Sequence, residues 1–139
     1  MIEFHFKSEF SLMDKTKFSD WTTRVIVSEG FEVGQIDYIF CSDDYLLNIN
    51  QEYLKHDTFT DIITFDYSGG SVISGDVFIS VDRVSENAVT YKVEFKEELL
   101  RVMCHGVLHL MGYGDKQEDE QKVMRKKEDE KIKLFHVEP

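Results

Sequence analysis

DIITFDYSGGSVISGDVFIS, residues 61–80, carries the reading of the fold. Its first seven residues are rich in β-branched and aromatic side chains, which suit a pleated, half-buried strand. SGGS at 68–71 supplies a turn through Gly69 and Gly70, and VISGDVFIS from residue 72 reads as the next strand. Two such runs joined by so short a connection predict a hairpin.

Toward the N-terminus, IEFHF at residues 2–6 puts Ile2, Phe4 and Phe6 on one face at period two, a strand pattern. Ser11 or Asp14 can cap a first helix running to about Ser28, with Phe18, Trp21, Val25 and Ile26 inward and Gly30 as its stop. QIDYIFCS from residue 35 alternates Ile36, Tyr38 and Phe40 and reads as a further strand. A short helix follows Ser42 and ends near Leu54, and Lys55 to Thr60 is polar and irregular. Beyond the hairpin, Asp82 is expected to cap a helix to about Lys92. A longer helix runs from Phe95 to Met111, and a highly charged one from Glu118 to Phe135. This order predicts an α+β fold: a single domain over residues 1–139, with a mixed sheet of about four strands covered by helices.

Composition agrees. Hydrophobic residues make up 42% and charged residues 31%, a globular balance, and eleven Phe and six Tyr supply bulk for a core. No apolar run approaches the roughly 20 residues of a membrane span, and MIEFHFKSEF lacks the apolar stretch of a secretory signal. Cys41 and Cys104 are too few for a disulfide framework and are expected to be buried small hydrophobes in a reducing compartment, so the cytoplasm is the expected location. The net charge of −11 counts against a general nucleic-acid binder, though not against an enzyme that meets RNA through a local basic surface.

The chemistry-bearing stretch is MCHGVLHLMGYGDKQEDE, residues 103–120. His105 and His109 stand four apart on an apolar helix, about 6 Å along its axis and on nearly one face, so two imidazoles can grip one cation. Gly112 offers a left-handed helix stop and Gly114 a second permissive joint, a bend able to carry Asp115 back to the histidines. Two His and one carboxylate leave positions open on a metal, as catalytic sites require. A histidine pair alone is a weak signal, and Asp115 by itself could simply open the charged helix. Glu118, Asp119 and Glu120 read as a solvated first turn favoured by the helix dipole. Gly106 stands where the zinc-peptidase pattern H-E-x-x-H has its glutamate; its missing side chain suits close approach of a strand.

HGVLHLMGY at residues 105–113 resembles the YbeY family motif H-G-x-L-H-L-x-G-Y, and further segments agree in order. Asn48 to Phe65, with Tyr53, Asp57, Thr60 and Asp61, resembles another family stretch. Gly75 and Asp76 match a G-D strand, Glu86, Asn87 and Ala88 a following helix, and Met124 and Glu128 the final one. The resemblance implies an α+β fold and a cytoplasmic, zinc-dependent endoribonuclease of single-stranded RNA. Such an enzyme acts in 16S ribosomal RNA 3′-end maturation and ribosome quality control, with rRNA and the ribosomal subunit or its proteins as partners and no membrane. His105 and His109 inherit two metal-ligand roles. The third ligand, His in most members, is Asp115 here; a carboxylate still suits zinc but admits other divalent ions. The family's Arg after the Tyr is Leu54 here, so that Arg's role is not carried over; Lys55 and His56 are neighbouring candidates to substitute, with loop decoration as the alternative for both. Lys92, Lys96 and Arg101 are candidate RNA-backbone contacts with ordinary surface as the alternative. Asp61 and Asp76 are the candidates for proton transfer, with a structural role as the alternative for both. Rival readings are a metallopeptidase, which Gly106 disfavours, or another metal-dependent hydrolase, and a ribosome-assembly factor with a structural metal that binds without cleaving, which Leu54 and the negative charge favour.

Overall fold

A computed structural model describes residues 1–55 and 60–137. Its elements are β1 (Ile2–Phe6), α1 (Lys15–Ser28), β2 (Glu32–Cys41), α2 (Asp43–Leu54), β3 (Ile62–Asp66), β4 (Val72–Ser80), α3 (Val81–Tyr91), α4 (Phe95–Leu110) and α5 (Glu118–Phe135). The sheet runs β1-β2-β4-β3, with the first three strands parallel and β3 antiparallel at the edge. The α+β reading, four strands under helices, is what the molecule has.

The predicted hairpin joins β3 to β4, pairing Thr64 with Val77 and Phe65 with Asp76, and Gly70 takes φ +59° in its turn. Alternation along β4 sends Ile73, Gly75, Val77 and Ile79 to one face, all buried. That face carries α4 by its apolar side: Leu99, Leu100, Met103, Cys104, Val107 and Leu108 are each at most 2% exposed. Phe4 stacks on Tyr38 and Phe6 on Phe40 across β1 and β2, and the buried Tyr38 hydroxyl donates to the Met103 carbonyl of α4 (3.3 Å). On the other face α2 sets Leu46 against Cys41 and Ile63. Both cysteines are buried and free, as expected.

Two glycines let helix and sheet approach. A Cβ at Gly106 of α4 would lie 2.7 Å from Val77 Cγ1 and 2.8 Å from Ile62 Cδ1, and one at Gly75 would lie 2.7 Å from Leu110 Cδ2. The close approach of a strand expected at Gly106 is therefore present. α5 is docked by the Trp21 indole, which donates to the Lys131 carbonyl at 2.8 Å, and by Phe18 and Trp21 packing on Phe135.

Asp14 caps α1 and Ser42 caps α2. The cap of α3 differs from the sequence reading. The Ser80 hydroxyl accepts from Arg83 N–H at 3.1 Å, while Asp82 lies in the first turn and accepts from Asp43 N–H at 2.9 Å. β4 runs into α3 with no loop between them, so the cap falls on the strand's own last residue. Among the described residues, no helix is long and apolar enough to cross a membrane.

Candidate metal centre

α4 ends in the bend that Gly112 permits. Gly112 takes φ +100°, its N–H donates to the His109 carbonyl (3.0 Å), and Tyr113 N–H donates to the Leu108 carbonyl (3.0 Å). This paired closure is a Schellman stop, which satisfies orphan carbonyls and reverses the chain. Asp115 then returns over the last turn of α4. Its backbone carbonyl is held by the Gln121 side chain (3.0 Å), and Glu120 accepts from Gln117 N–H (3.1 Å) to start α5.

The reversal brings the three predicted ligands together. His105 Nε2 and His109 Nε2 are 2.9 Å apart, and Asp115 Oδ2 is 3.1 Å from the first and 3.3 Å from the second. The opposite ring nitrogens are both engaged. His105 Nδ1 meets Glu128 Oε2 at 2.6 Å, and His109 Nδ1 meets the Tyr113 carbonyl at 2.8 Å. A carbonyl and a carboxylate only accept, so each Nδ1 carries the proton and, in the neutral rings, each Nε2 presents a lone pair. Three acceptors then face one another with no hydrogen between them. A cation resolves that arrangement. Tetrahedral zinc at about 2.0–2.1 Å from its ligands separates them by about 3.3 Å, close to the spacing found.

Glu128 is the residue the sequence reading undervalued, having entered only as a match in the final helix. It is 4% exposed on α5, and Arg101 grips its other oxygen at 3.0 Å while also holding Asp129 at 2.8 Å. A carboxylate behind a ligating imidazole fixes ring orientation and tautomer and raises ligand basicity. Burial alone would lower the His105 pKa, but the Glu128 hydrogen bond and the charges of Glu128, Asp115 and Asp61 raise it. The available signal was position: Met124, Glu128, Lys131, Ile132 and Phe135 form the buried stripe of α5, where a carboxylate needs a partner.

A further brace lies behind Tyr113. Its hydroxyl donates to Glu29, which also receives Lys127 (3.1 Å) and the buried Lys131 (2.8 Å). Burial would raise the Glu29 carboxyl, but hydrogen bonds from Lys131, Tyr113 and Lys127 outweigh it and bring the pKa down to about 2.

Other expectations fare unevenly. Asp61 stands beside the centre, lining the same hollows as His105 and Asp115, and burial raises its pKa. Asp76 does not. It lies on the sheet face away from α4, registered with Asp37 and Phe65, with the Tyr67 hydroxyl donating to it at 3.3 Å. The alternation that buries Gly75 and Val77 under α4 necessarily turns Asp76 outward. Arg101 is committed to Glu128 and Asp129 instead of being a free backbone contact; Lys96 rests over the Phe135 ring at 4.8 Å, and Lys92 forms the left-handed C-cap of α3. Leu54 and Lys116 line the hollow beside His109 and Asp115. His56 and Asp57 lie outside the described residues.

The profile of the family described as Endoribonuclease YbeY matches residues 3–136. The chain belongs to the YbeY family. Among its relatives, the Endoribonuclease YbeY of Flavobacterium johnsoniae is 56% identical over 138 residues, covering 99% of both chains. That of Christiangramia forsetii is 50% identical, covering 99% of this chain and 96% of its own. The solution structure of TM1509 from Thermotoga maritima superposes with a TM-score of 0.67 at 25% identity, over 97% of this chain and 89% of that one. The resemblance carried by HGVLHLMGY is thereby confirmed as kinship, and the three converging side chains are this YbeY chain's candidate metal ligands.

Proposed function

We propose that this YbeY protein is an endoribonuclease that cuts single-stranded RNA with one divalent cation, zinc by preference, held by His105, His109 and Asp115. Its proposed setting is the cytoplasm, its role 16S rRNA 3′-end maturation and ribosome quality control, and its partners rRNA and the ribosomal subunit. The observation that carries the reading is the mutual approach of three acceptor atoms within 3.3 Å, with Glu128 and the Tyr113 carbonyl fixing both ring tautomers.

A divalent cation in that position supplies Lewis-acid chemistry, acidifying water and offsetting negative charge that builds on a phosphodiester. The chain supplies the rest. Glu128, held by Arg101, keeps His105 aimed, and Tyr113, braced by Glu29, does the same for His109. Asp61, the carboxyl beside the ligand set that is not needed to hold the ion, is placed to take up or return a proton, and its raised pKa suits that exchange. Leu54 and Ile62 offer apolar walls, and Lys116 a cation for the RNA backbone. A peptidase mechanism has no support, because position 106 carries no side chain and abuts Val77 and Ile62.

Elemental analysis and RNA cleavage assays on His105→Ala, His109→Ala and Asp115→Ala test the proposal. Loss of metal and of cleavage together is expected. Full metal content in all three ends the ligand assignment; metal loss with cleavage intact makes the ion structural. The second reading, an assembly factor that binds RNA without cutting it, draws on Leu54 standing in the cleft where most of the family has Arg. It predicts that a metal-free variant still rescues a deletion strain.

A further inference from the structure

A second hollow of about 350 Å³, in the range of small-ligand sites, shares Asp61, Ile62, His105 and Asp115 with the one that Leu54 lines. Its wall includes Glu98, two helical turns before His105 on the same face of α4 as Arg101, Val102 and His105. Glu98 is 5% exposed as a residue, and its carboxylate makes no hydrogen bond or ion pair with the described residues but opens into the hollow. That is unusual, because buried carboxylates are ordinarily paired. Arg101, the nearest guanidinium on its helix, is already spent on Glu128 and Asp129. Asp61 shares the hollow, and burial together with its charge raises the Glu98 pKa. A carboxylate with no protein partner that faces an open hollow is placed to receive a ligand that brings N–H donors.

At the mouth stand Tyr91, 63% exposed, and Arg125 and Gln121, with the Asn87 side chain beside them. An exposed aromatic ring, a cation and amides around a buried carboxylate match the way single-stranded RNA is read. Splayed bases stack on aromatics and are hydrogen-bonded along their Watson–Crick edges. Seven residues of helix separate Glu98 from His105 by about 10 Å, the reach of one nucleotide from backbone to base edge.

Resting on the single-stranded RNA reading above, we propose that this hollow is a nucleobase subsite beside the bond to be cut. It prefers guanine, with the two Glu98 oxygens accepting the adjacent N1–H and N2–H of the guanine edge. Guanine is the one base whose edge presents two neighbouring donors, the fork that a carboxylate receives bidentately. Adenine and cytosine set an acceptor nitrogen beside their amino group, and uracil flanks its single N–H with carbonyls. Tyr91 stacks on the base, and Arg125 meets the adjoining phosphate.

The test measures binding of guanosine, adenosine, cytidine and uridine 5′-monophosphates to the intact metal-loaded protein by calorimetry. Cleavage sites are mapped alongside on single-stranded RNAs of defined sequence. The expected result is about tenfold or greater preference for the guanosine nucleotide, reduced to within about twofold in Glu98→Gln, with cuts clustering next to guanines. Equal affinities, a preference for adenosine or cytidine (the match to a protonated carboxyl), or a guanosine preference that survives Glu98→Gln would each overturn it. Tyr91→Ala, at an exposed rim position, is the second variant should Glu98→Gln not fold; it is expected to lose several-fold of guanosine nucleotide affinity, and unchanged affinity counts against the subsite. RNA cleavage without base ranking ends the subsite and leaves the nuclease. Guanosine-selective binding without cleavage of any RNA ends the nuclease and leaves the subsite.

Discussion

Replacing Gly106 by Ala sets two opposed effects against each other. In a helix interior Ala is favoured over Gly by about 0.5–1 kcal/mol, so propensity alone predicts a more stable protein. The new methyl would stand 2.7 Å from Val77 Cγ1 and 2.8 Å from Ile62 Cδ1. Ile62 can swing its terminal carbon aside. Val77 cannot yield so easily: it is fully buried and branched at Cβ, with little rotamer freedom. Overpacking of this kind costs about 1–3 kcal/mol, so the net expectation is a loss of about 1–2 kcal/mol. With urea m-values of about 1–3 kcal/mol/M for small proteins, the midpoint falls by about 0.5–1 M. Because Gly106 sits between the two histidines of α4, the same displacement should weaken metal binding. The double variant with Val77→Ala makes the reasoning specific: room opened at Val77 should absorb the methyl, so the two costs combine to less than their sum. Urea denaturation of the four proteins, with metal content measured in parallel, decides it. A raised midpoint for Gly106→Ala, or strict additivity in the cycle, would refute the claim that helix–strand contact at this glycine seats the site.

Two further outcomes follow from the residues behind the ligands. Glu128→Gln keeps the shape but removes the charge that His105 Nδ1 and Arg101 both use; affinity for zinc, measured by chelator competition, should fall about 10–100-fold, and unchanged affinity would mean Glu128 only fills space. Glu29→Gln should destabilise at neutral pH and progressively less in acid. The wild-type carboxyl, at about 2 in the fold against 4.5 unperturbed, contributes stability present above pH 4.5 and lost as pH falls through about 2. Urea midpoints at pH 7, 4 and 2.5 should therefore converge between variant and wild type, and a constant gap would show that the negative charge of Glu29 is not what matters.

How much of this was legible beforehand depended on how local each cause is. The hairpin of residues 61–80 rests on β-branched runs and a glycine turn within twenty residues, and it stands as read. The convergence of the candidate ligands was nearly as local: an i, i+4 histidine pair, a glycine that takes φ +100°, and a carboxylate three residues later. Asp76 shows where local reasoning stopped short although the information was present. Burying Val77 and Ile79 of one strand under a helix obliges Asp76 to face the other way, but that inference needs to know which face the helix covers.

Arg101 and Glu128 illustrate the deeper limit. An arginine on a helix reads as solvated charge until a partner is brought to it from 27 positions away, and that partner arrives only because Trp21 and Phe135 dock α5 against α1. The same docking buries Lys131 to 2% exposure within a segment whose composition suggests a surface helix. Candidate ligands can be found from the spacing of a few residues, because the backbone geometry of one turn brings them together. The groups that orient those ligands are set by tertiary packing, and their trace in the sequence is weaker but real: a charged residue on an otherwise apolar stripe. Glu98 on α4 bears that trace as Glu128 does on α5. Glu128 has its partners within the chain, Glu98 has none among the described residues, and that difference is the physical reason to look for a ligand in the hollow beside the candidate metal centre.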